Sequence, residues 1–195
     1  MKKIKDLGMA AMLLAATLGT ALAQTAPGYT LTGSVKGIAD GDVELSSYNS
    51  KDRTTTKITT AKVRNGKFVV KGRLNTPQMV ALTFSPGNWG TQVFLENKAI
   101  SITADTLGSG HYDHTKYGMG KGANLKKVQV VGSNGHTAIQ GYKSSIKGIK
   151  GREALVSSQL NFIRPYIAKN PSSVAGAYML SNHYLFNPAM PLNEL

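Results

Sequence analysis

The chain has 195 residues, of which 41% are hydrophobic, 17% are charged and 21 are glycine; this mixture supports a packed strand-and-turn domain with room for a helical appendage, and it excludes a coiled coil or a disordered chain. The formal charge is +13 and there is no cysteine, which removes disulfide staples, thiol catalysis and thiolate metal centres from these residues.

Residues 1–23 have the form of a secretory signal peptide. Lys2, Lys3 and Lys5 give a basic start, Leu7 to Leu18 is apolar, and Ala21-Leu22-Ala23 is a small-x-small cleavage site before Gln24. The apolar run is short for a bilayer span, and no cysteine follows it to carry a lipid. The expectation is cleavage after Ala23 and a periplasmic or secreted protein with no membrane-spanning segment. Residues 24–195 keep 20 basic and 9 acidic side chains, a net +11. Export makes nucleic acid a poor partner for that charge. The plain interpretation is a solvated basic surface, and the sharper one is attraction to anionic envelope components such as lipid headgroups.

From Tyr29 the pattern alternates at period two. "YTLTGSV" puts Tyr29, Leu31 and Val35 on one face, "ADGD" is a turn, and "DVELSSY" alternates again with Val43 and Leu45. Asn65-Gly66 is the pair that best fits a tight primed turn, so Lys57–Val63 and Lys67–Arg73 are expected to form a β-hairpin. Further strands are expected at 78–85, 91–95, 99–105 and 126–133, separated by Gly-rich or Asn-containing turns. Residues 106–125 lack apolar periodicity and are expected to be a loop. About eight short strands imply an antiparallel β-sandwich or open barrel.

The period then changes. Ile139, Tyr142, Ile146 and Ile149 fit one helix face, and Val156, Leu160, Ile163 and Ile167 fit another. Gly148 and Gly151 should separate the two helices. Pro165 should kink the second or begin a new turn. Asn170-Pro171 reads as the start of a third helix, with Asn170 as cap, running to about Tyr184. The fold class is therefore α+β: a β-domain at 24–133 and a helical connector at 134–195. Leu192, Glu194 and Leu195 look like the opening of another helix, so the chain is expected to be truncated before a further domain.

The segments "YTLTGSVKGIADGDVELSSY", "TTAKVRNGKFVVKGRLNTPQMVALTF", "VFLENKAISITAD" and "VQVVGS" resemble a family of envelope β-domains of unknown function that precede thioredoxin-like domains of the TlpA/ResA type, the thiol:disulfide interchange proteins. "FIRPYIAKNPSSVAGAYMLSNHY" resembles their helical connector, with its I-x-x-N-P-x-S helix start, and "MPLNEL" the approach to the thioredoxin-like domain. The likeness is strongest at Asn65-Gly66 with Phe68 and at Phe94-Leu95-Glu96-Asn97. It implies a non-catalytic, accessory N-terminal domain that positions a periplasmic oxidoreductase domain absent from this chain. No catalytic residue and no cofactor is implied here. The partners it implies are that domain or an envelope client, and the helices could pair two copies.

Several residues look like chemistry. His111, Asp113 and His114 are of ligand types that zinc uses, but their spacing is neither that of a helix-face pair nor that of alternate strand positions, so no metal site is assigned. Gly118-Met119-Gly120-Lys121-Gly122 lacks the Ser or Thr and the following helix of a phosphate loop. The segment is expected to be a basic surface loop suited to partner contact, with His111, Tyr112 and Lys121 as contact candidates beside Trp89. Trp89 is expected chiefly to cover the end of the sandwich. His136 near a helix start and His183 near a helix end are expected to be structural, with imidazolium comfortable at the helix end. Lys143, Lys147 and Lys150 form the solvated face of the first helix. No nucleophile turn or acid–base pair is evident. The alternative function is a stand-alone secreted module whose loops bind a peptide, a glycan or another envelope component.

Overall fold

The period-two segments form strands and the later 3.6-residue pattern forms helices, in a computed structural model that describes residues 28–118 and 120–187, with Phe186 described by its backbone alone. Residues 1–27, on which the expected signal peptide and its cleavage after Ala23 fall, Met119, and residues 188–195 lie outside the described residues. The strands are β1 Tyr29–Lys36, β2 Gly41–Asn49, β3 Thr54–Val63, β4 Lys67–Gly72, β5 Gln78–Ser85, β6 Trp89–Leu95, β7 Ala99–Asp105, β8 Gly110–Asp113, β9 Lys121–Asn124 and β10 Lys127–Val131. Three helices follow: α1 Asn134–Ser145, α2 Arg152–Lys169 and α3 Val174–Phe186. None of the described helices is long and apolar enough to cross a membrane.

The strands make two open sheets, β10-β7-β1-β4 and β3-β2-β5-β6-β9-β8. This is the expected α+β sandwich, with two added strands and two parallel pairings, β1 with β7 and β6 with β9. The added strands are β8 and β9, which turn 106–125 from the expected loop into an antiparallel pair on the edge of the larger sheet. A short 3₁₀ turn, Thr115–Tyr117, joins them.

The Asn65-Gly66 turn forms as expected, with φ of 49° and 70°, but the strands it joins do not make a hairpin. β3 pairs with β2 and β4 pairs with β1, so the turn carries the chain from one sheet to the other. Only Arg64 and Lys67 exchange backbone hydrogen bonds across it, both 2.9 Å. Other partners decide the route. Asp40 Oδ1 accepts the Asn65 N–H at 2.7 Å, and Gly66 O accepts the Val35 N–H at 2.8 Å. A Cβ on Gly66 would stand 2.3 Å from Val35 O, so the corner needs glycine for closeness as well as for its positive φ.

The sandwich core lies between the sheets and includes Leu31, Leu45, Leu82, Phe84, Val93 and Ile102. A second core joins the helices to the outer face of the larger sheet, through Phe94, Ile139, Tyr142, Ile163, Ala175 and Met179. β6 serves both, so Val93, Phe94 and Leu95 are consecutively buried at 0%, 2% and 0% exposure. A strand buried on both faces loses its alternation, and this one does.

The helix boundaries differ from the expected ones at two prolines. Pro165 lies inside α2, which continues through it to Lys169. Asn170-Pro171 ends α2 rather than starting α3: the Asn170 N–H donates to Tyr166 O and Ile167 O, each 3.0 Å. The N-cap of α3 is Ser173, whose hydroxyl accepts the Gly176 N–H at 3.3 Å. The I-x-x-N-P-x-S motif is thus a helix stop followed by a helix start.

Candidate functional site: the groove between α3 and the six-stranded sheet

Each residue of Phe94-Leu95-Glu96-Asn97 has a separate job at the joint of sheets and helices. Phe94 enters the helical core and Leu95 the sandwich core. Glu96 Oε2 accepts the Gly135 N–H at 3.1 Å and lies 2.7 Å from Ser133 Oγ, placing a carboxylate at the N-terminus of α1, where anions are favoured. Asn97 pairs with the Leu74 backbone in both directions, accepting its N–H at 2.9 Å and donating to its carbonyl at 2.7 Å.

The start of α1 also closes the edge of β6 beyond its short pairing with β9. Ser133 caps the helix by accepting the His136 N–H at 3.0 Å, and its Oγ lies 2.8 Å from Phe94 O. His136 Nδ1 accepts the Phe94 N–H at 3.3 Å. The other ring nitrogen, Nε2, lies 3.3 Å from Gln140 Nε2. In the helical core, His183 Nδ1 lies 2.8 Å from Gln159 Oε1, and Asn187 Nδ2 donates to His183 O at 2.9 Å.

His183 is not the comfortable imidazolium expected near a helix end, and His136 shares its direction of shift. Burial, with Lys143 adding for His136 and Arg164 for His183, holds both pKa values below the ordinary 6.5. The folded chain keeps them neutral while the unfolded chain binds protons as pH falls through about 6.5, so their stabilisation is complete above that pH and declines below it. The melting temperature is therefore expected to fall between pH 7.5 and 5.0, with a slope of at most about 1.4 kcal/mol per pH unit for each histidine. In His136→Gln the drop should be smaller; an unchanged drop would show that His136 does not sense the acid.

The residues that looked chemical lie at the other end of the larger sheet. Trp89, Ala123 and His111 stand side by side across β6, β9 and β8, with the Trp89 and His111 rings edge-to-face at 5.3 Å. Trp89 also packs on the sandwich core. His114 turns instead to Tyr112, ring centroids 5.4 Å apart. Asp113 Oδ1 accepts the Thr115 hydroxyl at 2.6 Å and the Thr115 N–H at 3.0 Å. These bonds, helped by Lys121 and His114, lower its pKa. The two imidazoles serve different aromatic partners and the carboxylate serves the turn. No cluster of three or more potential metal ligands occurs among the described residues. His111, Tyr112, Asp113 and Lys121 line only a shallow depression of about 440 Å³.

A larger concavity, about 880 Å³, runs between α3 and the outer face of β2, β5 and β6. Met79, Ala81 and Phe94 form its floor, Ala177 and Tyr178 one wall, and Tyr48 and Leu185 its exposed rims. Gln78, Gln92 and Asn182 add amides, and Ser46 and Ser181 add hydroxyls. Apart from tyrosines, none of the lining side chains ionises. The Tyr184 hydroxyl, in the same wall, is buried without a hydrogen-bond partner among the described residues. An orphaned buried hydroxyl is costly unless something else fills the site. A surface of this kind binds neutral, amide-rich chain by apolar contact and hydrogen bonding. Sequence patterns did not single it out, because its walls come from four separate segments.

Comparison with known families gives one match: the model of DUF4369, a domain of unknown function, fits residues 29–151. That span takes in the sandwich and α1. No curated protein and no solved structure matches the chain.

Proposed function

The chain belongs to the DUF4369 family, and from that premise we propose that it is a non-catalytic positioning module of an exported thioredoxin-like thiol–disulfide oxidoreductase, with the groove as the seat of the redox domain. The observation that carries this is the groove itself, an apolar floor of Met79, Ala81 and Phe94 edged by neutral amides, with Tyr48 and Leu185 exposed on its rims. A polypeptide surface would cover Tyr48 and Leu185, 63% and 73% exposed. The absence of cysteine puts any thiol chemistry on the partner. The form of residues 1–23 supports export to the periplasm.

The test is a calorimetric titration of the chain with a separately produced TlpA/ResA-type domain. Ala177→Trp, which blocks the wall, should weaken binding about tenfold or more. Leu185→Asp, which puts a charge on the exposed rim, should weaken it by a similar factor. Absence of binding, or affinity that neither substitution alters, would reject the proposal. The second reading is a stand-alone envelope-binding module, favoured by the joint lining of the smaller depression by His111, Tyr112 and Lys121. Its signature would be ligand binding sensitive to Tyr112→Ala and indifferent to Ala177→Trp.

A further inference from the structure

The two sheets treat their exposed cations differently. On the larger sheet, lysines of β3 are matched by carboxylates of β2: Lys62 lies 2.9 Å from Asp42, and Lys57 lies 3.4 Å from Glu44. On the outer face of β10-β7-β1-β4, alternation presents Lys36, Lys67, Lys71 and Lys127, all exposed. None of the four is ion-paired among the described residues. The carboxylate on that face is Asp105, in register between Lys127 and Lys36, and its Oδ1 accepts the Leu107 N–H at 2.8 Å. The face thus carries four lysines against one carboxylate.

The rest of the face is flat and uncovered. The helices pack on the other sheet, through Phe94 and Met79. One row across the strands runs Val131, Ser101, Thr32, Val69. Its central members are hydroxyls, and its ends are valines 59% and 53% exposed. No aromatic ring stands on this face to stack a sugar, and the concavity in it is a shallow depression of about 450 Å³ at the β7–β10 edge, lined by Thr103, Asp105, Lys127 and Gln129.

We propose that this face rests on an anionic phospholipid surface. A plane of hydroxyls rimmed by unpaired lysines matches a plane of phosphates in shape and charge. The lysines draw the face to the headgroups, and Val69 and Val131 make shallow apolar contact. A patch of this kind is screened by salt over about 8–10 Å, so binding should be strongest at low ionic strength. The orientation leaves the α3 groove, on the other sheet, free for a partner.

The test is co-sedimentation of the full chain with vesicles of phosphatidylcholine alone or mixed equally with phosphatidylglycerol. Residues 1–27 are common to every variant, so differences between variants report the fold. Lys67→Thr/Lys71→Thr should lower the partition onto anionic vesicles about tenfold or more, taking about fivefold per lysine. Lys57→Thr/Lys62→Thr makes the same change in net charge on the other sheet and should lower it less than about twofold. Lys36→Thr/Lys127→Thr is the second pair should the first not fold, with a loss like the first expected. Equal losses from the β3 and β4 pairs would reduce the effect to net charge and overturn the proposal. Equal binding to neutral vesicles, or no effect of either pair on this face, would also overturn it. So would a change of oligomeric state in place of lipid binding, which would assign the face to a second copy of the chain.

Discussion

Phe94→Ala is expected to lower stability by about 3–5 kcal/mol, the usual cost of removing a fully buried aromatic ring. The ring is 2% exposed and belongs to the core that joins the helices to the sheet. It lies over Gly135, where an added Cβ would come within 2.4 Å of it, and faces the Tyr178 ring at 6.5 Å. Its loss opens a cavity at the one place where α1, α3 and β6 meet. The damage should therefore be uneven. Trp89 is the only tryptophan and sits on the sandwich, so its fluorescence follows the sheets, while far-ultraviolet circular dichroism at 222 nm follows the helices. In urea, the variant should lose its helical signal before its tryptophan signal. Coincident transitions at the parent midpoint would show that Phe94 does not join the two cores.

Gly33→Val should be comparably severe. Gly33 interrupts the apolar face of β1 between Leu31 and Val35, where alternation calls for a large side chain. It pairs directly with Phe68 on β4, and a Cβ there would stand 1.9 Å from the Phe68 ring. That ring is buried and held edge-on to Phe84 at 5.5 Å, so it has little room to move. Overpacking of this kind costs about 1–3 kcal/mol for a small group and more for a branched one. Gly33→Ala should cost about 2 kcal/mol, and Phe68→Leu in the same chain should return part of it. Additive losses in the double variant would mean that the glycine serves the backbone of β1 and not the ring.

Gly33 also shows what was legible in the sequence. Alternation located β1 and β2 and their inward faces, because one buried face per strand leaves a period-two trace. It could not say which strands pair. Asn65-Gly66 fixed a turn, yet the hydrogen bonds of Asp40 and Val35 send the flanking strands to different sheets. β8 and β9 were invisible because each has four residues and only Ala123 is fully buried. In the connector, Asn170-Pro171 has the residue types of a helix start, but Ser173, three positions after Asn170, provides the cap and leaves Asn170 to close α2. Among the residues that looked chemical, proximity was not legible: the contact of Trp89 with His111 joins segments far apart in the sequence, and His111 and His114, near neighbours in the chain, turn to separate aromatic partners. The α3 groove was not legible, since no single stretch writes a cavity shared by β2, β5, β6 and α3. The lysine face was written only as excess charge, and its sorting onto one sheet needed the strand order.

The most direct test of the account is hydrogen–deuterium exchange on the chain with and without a saturating thioredoxin-like domain. The account predicts slowed exchange in Val174–Phe186 and in the Gln78–Ala81 end of β5, abolished by Ala177→Trp. Protection confined to Gly110–Asn124, or none anywhere, would contradict it.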